Sequence, residues 1–356
     1  MNAASEAFLF EYLNNPSPTG FESEGQKLWI NYIEKYVDEW HLDDYGTAYG
    51  VINPGKDYRV VIEAHADEIS WFVNYISEDG FIYVIKNGGS DEVIAPSKRV
   101  VIHTENGLVD GLFGWPAIHT RRGKTQNPAT TLENIFIDVG AKDKEEVLAM
   151  GIDVGCVITY PDPLMMLNKR YYVGRALDNR MGGFCIAEVA RMIKEESVHL
   201  PYSLYIVNSV QEEIGLRGAE MIAERIQPHA AIITDVTHDT NTPHIKPKVH
   251  GDLKCGAGPV ITFAPAVHNK LLSMIEAAAK ENNIPIQKSA SSRSTGTDTD
   301  AFAYSNAGVP SALISLPLRY MHTTVEMAAK DDIINVSRLI LESLKKIEYQ
   351  QSFKYF

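Results

Sequence analysis

Two acids stand side by side in this chain immediately after an apolar run. Leu204-Tyr205-Ile206-Val207-Asn208-Ser209-Val210 reads as a buried strand, and Gln211-Glu212-Glu213-Ile214-Gly215 follows it. A buried carboxylate is costly unless a metal, a partner charge or hydrogen-bond donors compensate it. The pattern recurs. The strand Arg59 to Ala64 ends at His65-Ala66-Asp67-Glu68, the strand Ala230 to Thr234 ends at Asp235, and the strand Pro310 to Leu316 is followed closely by His322. Asp178 opens a helical segment that runs to Lys194. Functional groups in open α/β sheets gather just beyond the carboxyl ends of the strands. His65, Asp178, Glu213, Asp235 and His322 are therefore expected to meet at one sheet edge.

Imidazole and carboxylate without thiolate suit Zn, Co, Mn or Ni. The number of groups fits two divalent ions, about 3.5–4 Å apart, that share an activated water. Asp178 could bridge them, with His65 and Asp235 completing one ion and Glu213 and His322 the other. Adjacent side chains leave the backbone in different directions, so Glu212 is free to face the water as general base. It could then return the proton to a leaving amine. Asp67 could accept the second N–H of His65 and fix its tautomer.

The elements that must position these residues follow from the hydrophobic pattern. Residues Ala4 to Leu13 and Gly25 to Val37 have helical spacing, with a Pro- and Gly-containing turn between them. From about Phe72 to Pro161 the texture becomes short β runs punctuated by turn signals, with helical spacing at Lys144 to Met150 alone. Alternating strands and helices then resume. We expect a three-layer α/β/α catalytic domain formed by residues 1–69 and 166–356, interrupted by a small all-β domain over 70–165. The 356-residue length agrees with two domains. The chain is 45% hydrophobic and 22% charged, which suffices for a sizeable core. With 33 Lys and Arg against 46 Asp and Glu the net charge is -13, unsuited to nucleic acid. Three isolated cysteines form no CxxC pair, and no signal peptide or membrane span is read, so a soluble cytoplasmic protein is expected.

At these same residues the sequence resembles the M42 family of metallo-aminopeptidases, the glutamyl-aminopeptidase and tetrahedral-aminopeptidase group. The matching stretches cover nearly the whole chain. They are Ser17-Pro18-Thr19-Gly20-Phe21-Glu22, His65-Ala66-Asp67-Glu68-Ile69, Gly174-Arg175-Ala176-Leu177-Asp178-Asn179-Arg180, Gln211 to Ala219, Asp235-Val236-Thr237, Gly296-Thr297-Asp298 and Met321-His322-Thr323-Thr324-Val325-Glu326. The resemblance implies His65, Asp178, Glu213, Asp235 and His322 as ligands of two ions, zinc or cobalt, and Glu212 as the base. It also implies a PDZ-like or barrel-like insertion used for dimerisation, dimers assembling into a hollow dodecamer, and action on peptides with an unblocked N-terminus. Ser70 and Cys156 depart from the family pattern, and neither is an expected ligand. Gly296, Thr297 and Asp298 are expected in a substrate-facing loop, and His238 along the substrate cleft.

Other chemistries compete. Paired carboxylates also serve an endoglucanase-type glycosidase, which would leave His65 and His322 idle. A metal-dependent deacylase or carboxypeptidase would need an arginine to dock a substrate carboxylate, and Arg180, Arg217 and Arg293 are available.

Overall fold

A computed structural model describes residues 1–121 and 129–356. Residues 122–128, part of the expected insertion, lie outside the described residues. The chain divides into two compact units: Met1–Glu68 with Leu164–Met321 and Val325–Phe356, and Ile69–Pro163 with His322–Thr324.

The larger unit is built on one mixed sheet. Its strands are β1 (Glu39–Leu42), β2 (Ala48–Ile52) and β3 (Arg59–His65); the smaller unit then supplies β4 (Ser70–Ile76), β5 (Ile82–Asn87), β6 (Arg99–Thr104), β7 (Gly107–Gly114), β8 (Phe136–Asp138) and β9 (Val157–Thr159). The large sheet resumes with β10 (Met165–Leu167), β11 (Tyr171–Gly174), β12 (Ser203–Ser209), β13 (Ala230–His238), β14 (Val260–Phe263), β15 (Gln287–Ala290), β16 (Ser311–Arg319) and β17 (Glu326–Ala329). Its order is β1-β2-β12-β3-β13-β16-β17-β11-β10, with β14 and β15 branching from β16. The central run β12-β3-β13-β16 is parallel, so these strands share one carboxyl edge.

The helices are α1 (Ala3–Asn14), α2 (Ser23–Ile33), α3 (Lys144–Ala149), α4 (Leu177–Glu195), α5 (Arg217–Ile226), α6 (Pro247–His250), α7 (Asn269–Glu281), α8 (Asp298–Ala303) and α9 (Lys330–Leu344). Apart from α3, which belongs to the smaller unit, they pack on both faces of the large sheet. Successive residues of a strand point to opposite faces. On β12, Asn208 points toward α4, where a Cβ on Gly183 would come within 2.7 Å of its Oδ1, and Ser209 points the other way, to Asp298 at the start of α8. Gly183 is what lets α4 approach the sheet. Trp29 of α2 donates to the Gly183 carbonyl oxygen at 2.9 Å and fixes that contact. Central strands with buried Val60, Val61, Ile62, Ile206, Ile232, Ile233 and Ile314 fill the core, each such side chain contributing about 1.5–3 kcal/mol on burial.

The smaller unit is a closed barrel, β4-β5-β8-β7-β6-β9, around buried Trp71, Ile82, Val100, Ile102, Phe113, Ile137 and Ile158. Ser70 opens β4, where its hydroxyl accepts a bond from the Asn87 side chain at 2.8 Å, and Cys156 accepts the Val73 amide through its carbonyl oxygen.

The α/β class and the all-β insertion match the expectation, and several element ends differ. The strand expected to stop at Thr234 runs on to His238, because Val236 and Thr237 continue the β-branched pattern. Asp235 therefore lies inside a strand, opposite Ser315. The helix expected to reach Val37 stops at Ile33. Regular helix in α4 begins only after Asp178 and Asn179, whose backbone angles are not helical. Among the described residues no helix is long and apolar enough to cross a membrane.

Candidate metal and catalytic site

Strand register brings the cluster together. Ser209 pairs with His65 across β12 and β3, and Ile233 pairs with Glu63 across β13 and β3. Two residues further on, Asp235 is level with His65. The loop after β12 starts at that same edge and delivers Glu212 and Glu213.

His65 ends β3 and is 1% exposed. Its Nε2 lies 3.3 Å from Asp178 Oδ1 and 3.8 Å from both Glu212 Oε2 and Asp235 Oδ1. Its Nδ1 lies 3.3 Å from Asp67 Oδ1 and 3.2 Å from the Asp67 carbonyl oxygen. One ring nitrogen is thus oriented by Asp67 while the other faces carboxylates from three separate segments. Two groups of potential ligands share His65: His65 with Asp178 and Glu213, and His65 with Glu212 and Asp235, each with its donor atoms within 4.8 Å of one another.

The Asp67 carboxylate also holds the backbone of both adjacent acids. Its Oδ1 accepts the Glu212 amide at 3.0 Å, and its Oδ2 accepts the Glu213 amide at 3.2 Å and the Thr19 hydroxyl at 2.9 Å. Gln211, at φ +59°, turns the chain sharply out of the strand. The Asp178 amide donates to Glu326 Oε2 at 3.0 Å, which fixes the backbone of that ligand candidate.

The charges of the site are out of balance. Burial, and then the charges of Asp235, Asp298 and Glu213, push the Glu212 carboxyl up to about 10, against the opposing pull of His65. Burial and Asp178 hold Asp235 well above the usual carboxylate range. Burial disfavours a charged His65, yet Glu212, Asp178 and Asp67 together raise it well above the ordinary imidazole value. Clustered acids around one imidazole are short of positive charge, and divalent cations are what such a donor set accommodates.

His322, at φ +60°, falls in the segment grouped with the barrel unit, where a Cβ on Gly89 would lie 2.5 Å from its Nδ1. Gly296 is exposed, Thr297 caps α8, and Asp298 is 1% exposed and bonded to the Ser209 hydroxyl at 3.0 Å. His238 is exposed at the end of β13.

The structure adds residues that the sequence reading gave no role. Glu63, fully buried, hydrogen-bonds Ser209 and is raised well above its ordinary value by burial and by Asp298. Its only signal is an acid inside an otherwise apolar strand. Glu68, also buried, accepts the Ser17 amide at 2.6 Å and pairs with Arg175, and Arg180 stands 3.8 Å from its other oxygen.

Comparison with known proteins places the chain. The model of the M42 glutamyl aminopeptidase family matches residues 46–339. The chain belongs to the M42 peptidase family. It is 33% identical to a lysyl aminopeptidase of Pyrococcus furiosus, over 95% of this chain and 96% of that one. Its fold superposes on a TET aminopeptidase from a marine sediment archaeon of the Thaumarchaeota with a TM-score of 0.92 at 30% identity, covering 98% of this chain and 97% of the other. The TET1 peptidase of Pyrococcus horikoshii, which can assemble into a tetrahedron or a large octahedral shell, gives 0.82 at 26% identity over 95% and 98% of the two chains.

As an M42 peptidase this chain is a peptide-bond hydrolase of a metal-dependent family, and its imidazole–carboxylate cluster fits that dependence. The arginines offered for docking a substrate carboxylate are otherwise engaged in two cases. Arg180 is fully buried beside Glu68, and Arg217 pairs with Glu220 on the surface of α5.

Proposed function

We propose that this M42 peptidase is a co-catalytic two-metal aminopeptidase that removes the first residue from peptides with a free N-terminus. The observation that carries this reading is the convergence of His65, Asp178, Glu212, Glu213 and Asp235 from four separate stretches of chain, with their donor atoms gathered around the His65 imidazole. His65 and Asp235 would hold one divalent cation, Glu213 and His322 the other, and Asp178 both, with His322 assigned from its motif. Zinc and cobalt suit this ligand set. When bound, the cations supply an acidified water and a polarised scissile carbonyl.

The protein's own groups do the rest. Glu212 takes the proton of the attacking water and delivers it to the departing amine. Asp67 keeps the His65 ring oriented and grips the amides of both glutamates. Thr297, Gly296 and His238 remain candidates for contacting the substrate, whereas buried Asp298 would act from beneath, through Ser209. The barrel unit is the natural dimerisation element, and a closed homo-oligomer, the dodecamer expected from the resemblance, would follow from repeating such contacts.

The test is turnover of amino-acid arylamides against their N-acyl counterparts, with and without added zinc or cobalt. Release from the free-amine substrates that depends on metal supports the reading. Equal release from the blocked substrates would point to the deacylase reading in its place.

A further inference from the structure

The stretch Ser17-Pro18-Thr19 has no part in the mechanism above, yet it is stitched to the catalytic edge. The Thr19 amide donates to the Glu68 carbonyl oxygen at 3.1 Å, and the Glu68 amide to the Ser17 carbonyl oxygen at 3.0 Å. These two bonds lay Pro18 alongside Glu68 as an isolated parallel bridge. The Ser17 amide adds a third tie, to the Glu68 carboxylate. The main chain alone therefore places Thr19 beside the segment that carries His65 and Asp67.

The side chain of Thr19 makes a different bond. Thr19 is 2% exposed, and its hydroxyl lies 2.9 Å from Asp67 Oδ2 and 3.2 Å from the Glu68 carbonyl oxygen. Bonds to an ionised acceptor are shorter and stronger than bonds to a neutral one, so the carboxylate takes the one hydroxyl proton. Asp67 has no exposed surface, and each of its oxygens meets two donors. Oδ1 faces His65 Nδ1 at 3.3 Å and accepts the Glu212 amide at 3.0 Å. Oδ2 accepts the Glu213 amide at 3.2 Å and the Thr19 hydroxyl. A carboxylate offers about four lone-pair sites, so this set fills it. Three of these donors belong to the proposed active site itself, and Thr19 comes from a separate segment.

The last torsion of an Asp side chain is broad, so surrounding donors set the plane of its carboxylate. That plane matters here, because one carboxylate both orients the His65 ring and holds the amides of Glu212 and Glu213. We infer that Thr19 is a positioning residue for the metal site. Its hydroxyl fixes the Asp67 carboxylate and, through it, the His65 ring and the loop bearing the two glutamates; this rests on reading His65 as a metal ligand. The stiff χ1 of a β-branched side chain suits a hydroxyl that must point one way.

The experiment compares Thr19→Val, which keeps the shape and drops the hydroxyl, and Thr19→Ser, which keeps the hydroxyl, with the wild-type chain. Zinc affinity is measured by competition with a chromogenic chelator. Turnover of an amino-acid arylamide is then measured at saturating zinc, per folded molecule. We expect zinc binding about tenfold weaker in Thr19→Val, as for other groups that orient a ligand from behind. Its kcat should fall by about the same factor with KM within about twofold. Thr19→Ser should restore most of both. Wild-type zinc affinity and kcat in Thr19→Val, with only its stability lowered, would overturn the inference, and so would a Ser variant no better than Val. Should Thr19→Val fail to fold, Thr19→Ala takes its place. If neither folds while Thr19→Ser does, the hydroxyl serves folding and the inference falls. His65→Ala run alongside separates the two ideas. Wild-type zinc affinity there removes the ligand reading, whereas lost affinity there beside an unaffected Thr19→Val removes the positioning role alone.

Discussion

Replacing Glu68 with Gln keeps the shape of the side chain and removes its charge. Glu68 is 3% exposed, bonded to the Ser17 amide and to Arg175, with Arg180 3.8 Å away. Arg180 is fully buried, its guanidinium carbon 4.2 Å from the centre of the Tyr12 ring, and burial already lowers its affinity for the proton. Gln still accepts the Ser17 amide, but two buried guanidiniums lose their counter-charge. Breaking a buried pair by removing one partner costs about 3–5 kcal/mol. The single Gln oxygen, kept on the Ser17 amide, leaves the NH2 group facing the Arg175 guanidinium, so the loss is expected to be at least about 3 kcal/mol. The consequence reaches the site, because Arg175 and Arg180 flank Asp178 while Glu68 follows His65. This ion pair therefore ties two ligand-bearing segments together. Urea unfolding of the chelator-treated protein measures the first effect, and competition titration with zinc the second. We expect stability lower by at least about 3 kcal/mol and weaker zinc binding, with part of the stability returned when Arg175→Met is added to remove the stranded cation. A stability change under about 1 kcal/mol with unchanged zinc affinity would refute the reasoning.

Further outcomes follow from the same geometry. Glu212→Gln should lower kcat by about 10²–10⁴-fold while leaving metal content intact; undiminished turnover would move the base elsewhere. Gly89→Ala would set a Cβ 2.5 Å from His322 Nδ1 and displace that ring, so zinc affinity should drop with little change in barrel folding by circular dichroism. The Glu22 carboxyl, pushed up to about 7 from 4.5, binds its proton more tightly in the folded chain. Its contribution to stability is therefore full below about pH 4.5 and lost as pH rises through about 7, on the order of 3 kcal/mol. In the chelated protein, the stability difference between wild type and Glu22→Gln should move in favour of the variant between pH 5 and pH 8, and a difference that is flat with pH would contradict the assignment.

Much of this arrangement is legible in the chain because strand ends are. The β-branched runs before His65 and Glu212 announce both the sheet and the edge where chemistry gathers. Asp235 is legible as a residue and misread as a position, since nothing local marks whether a strand stops at an acid or passes through it. Register with β16 decides that, and register is a long-range property. The helix at Asp178 shows the same limit: periodicity finds its body and not the irregular first residues. Glu22, Glu68 and Arg180 are visible as members of motifs, but their work is to satisfy amides and charges supplied by segments far away in sequence. Glu63 and Asp298 are harder still: an acid within an apolar strand and one in a polar loop give no sign that both will be buried against Ser209.

The most direct measurement is anomalous scattering from crystals loaded with zinc or cobalt. We expect two peaks per chain. One should lie at coordinating distance, about 2.0–2.2 Å, from His65 Nε2 and Asp235, the other from Glu213 and His322, with Asp178 reaching both and Glu212 coordinating neither. A single peak, or peaks that leave His65 and Asp178 uncoordinated, would contradict the two-metal site.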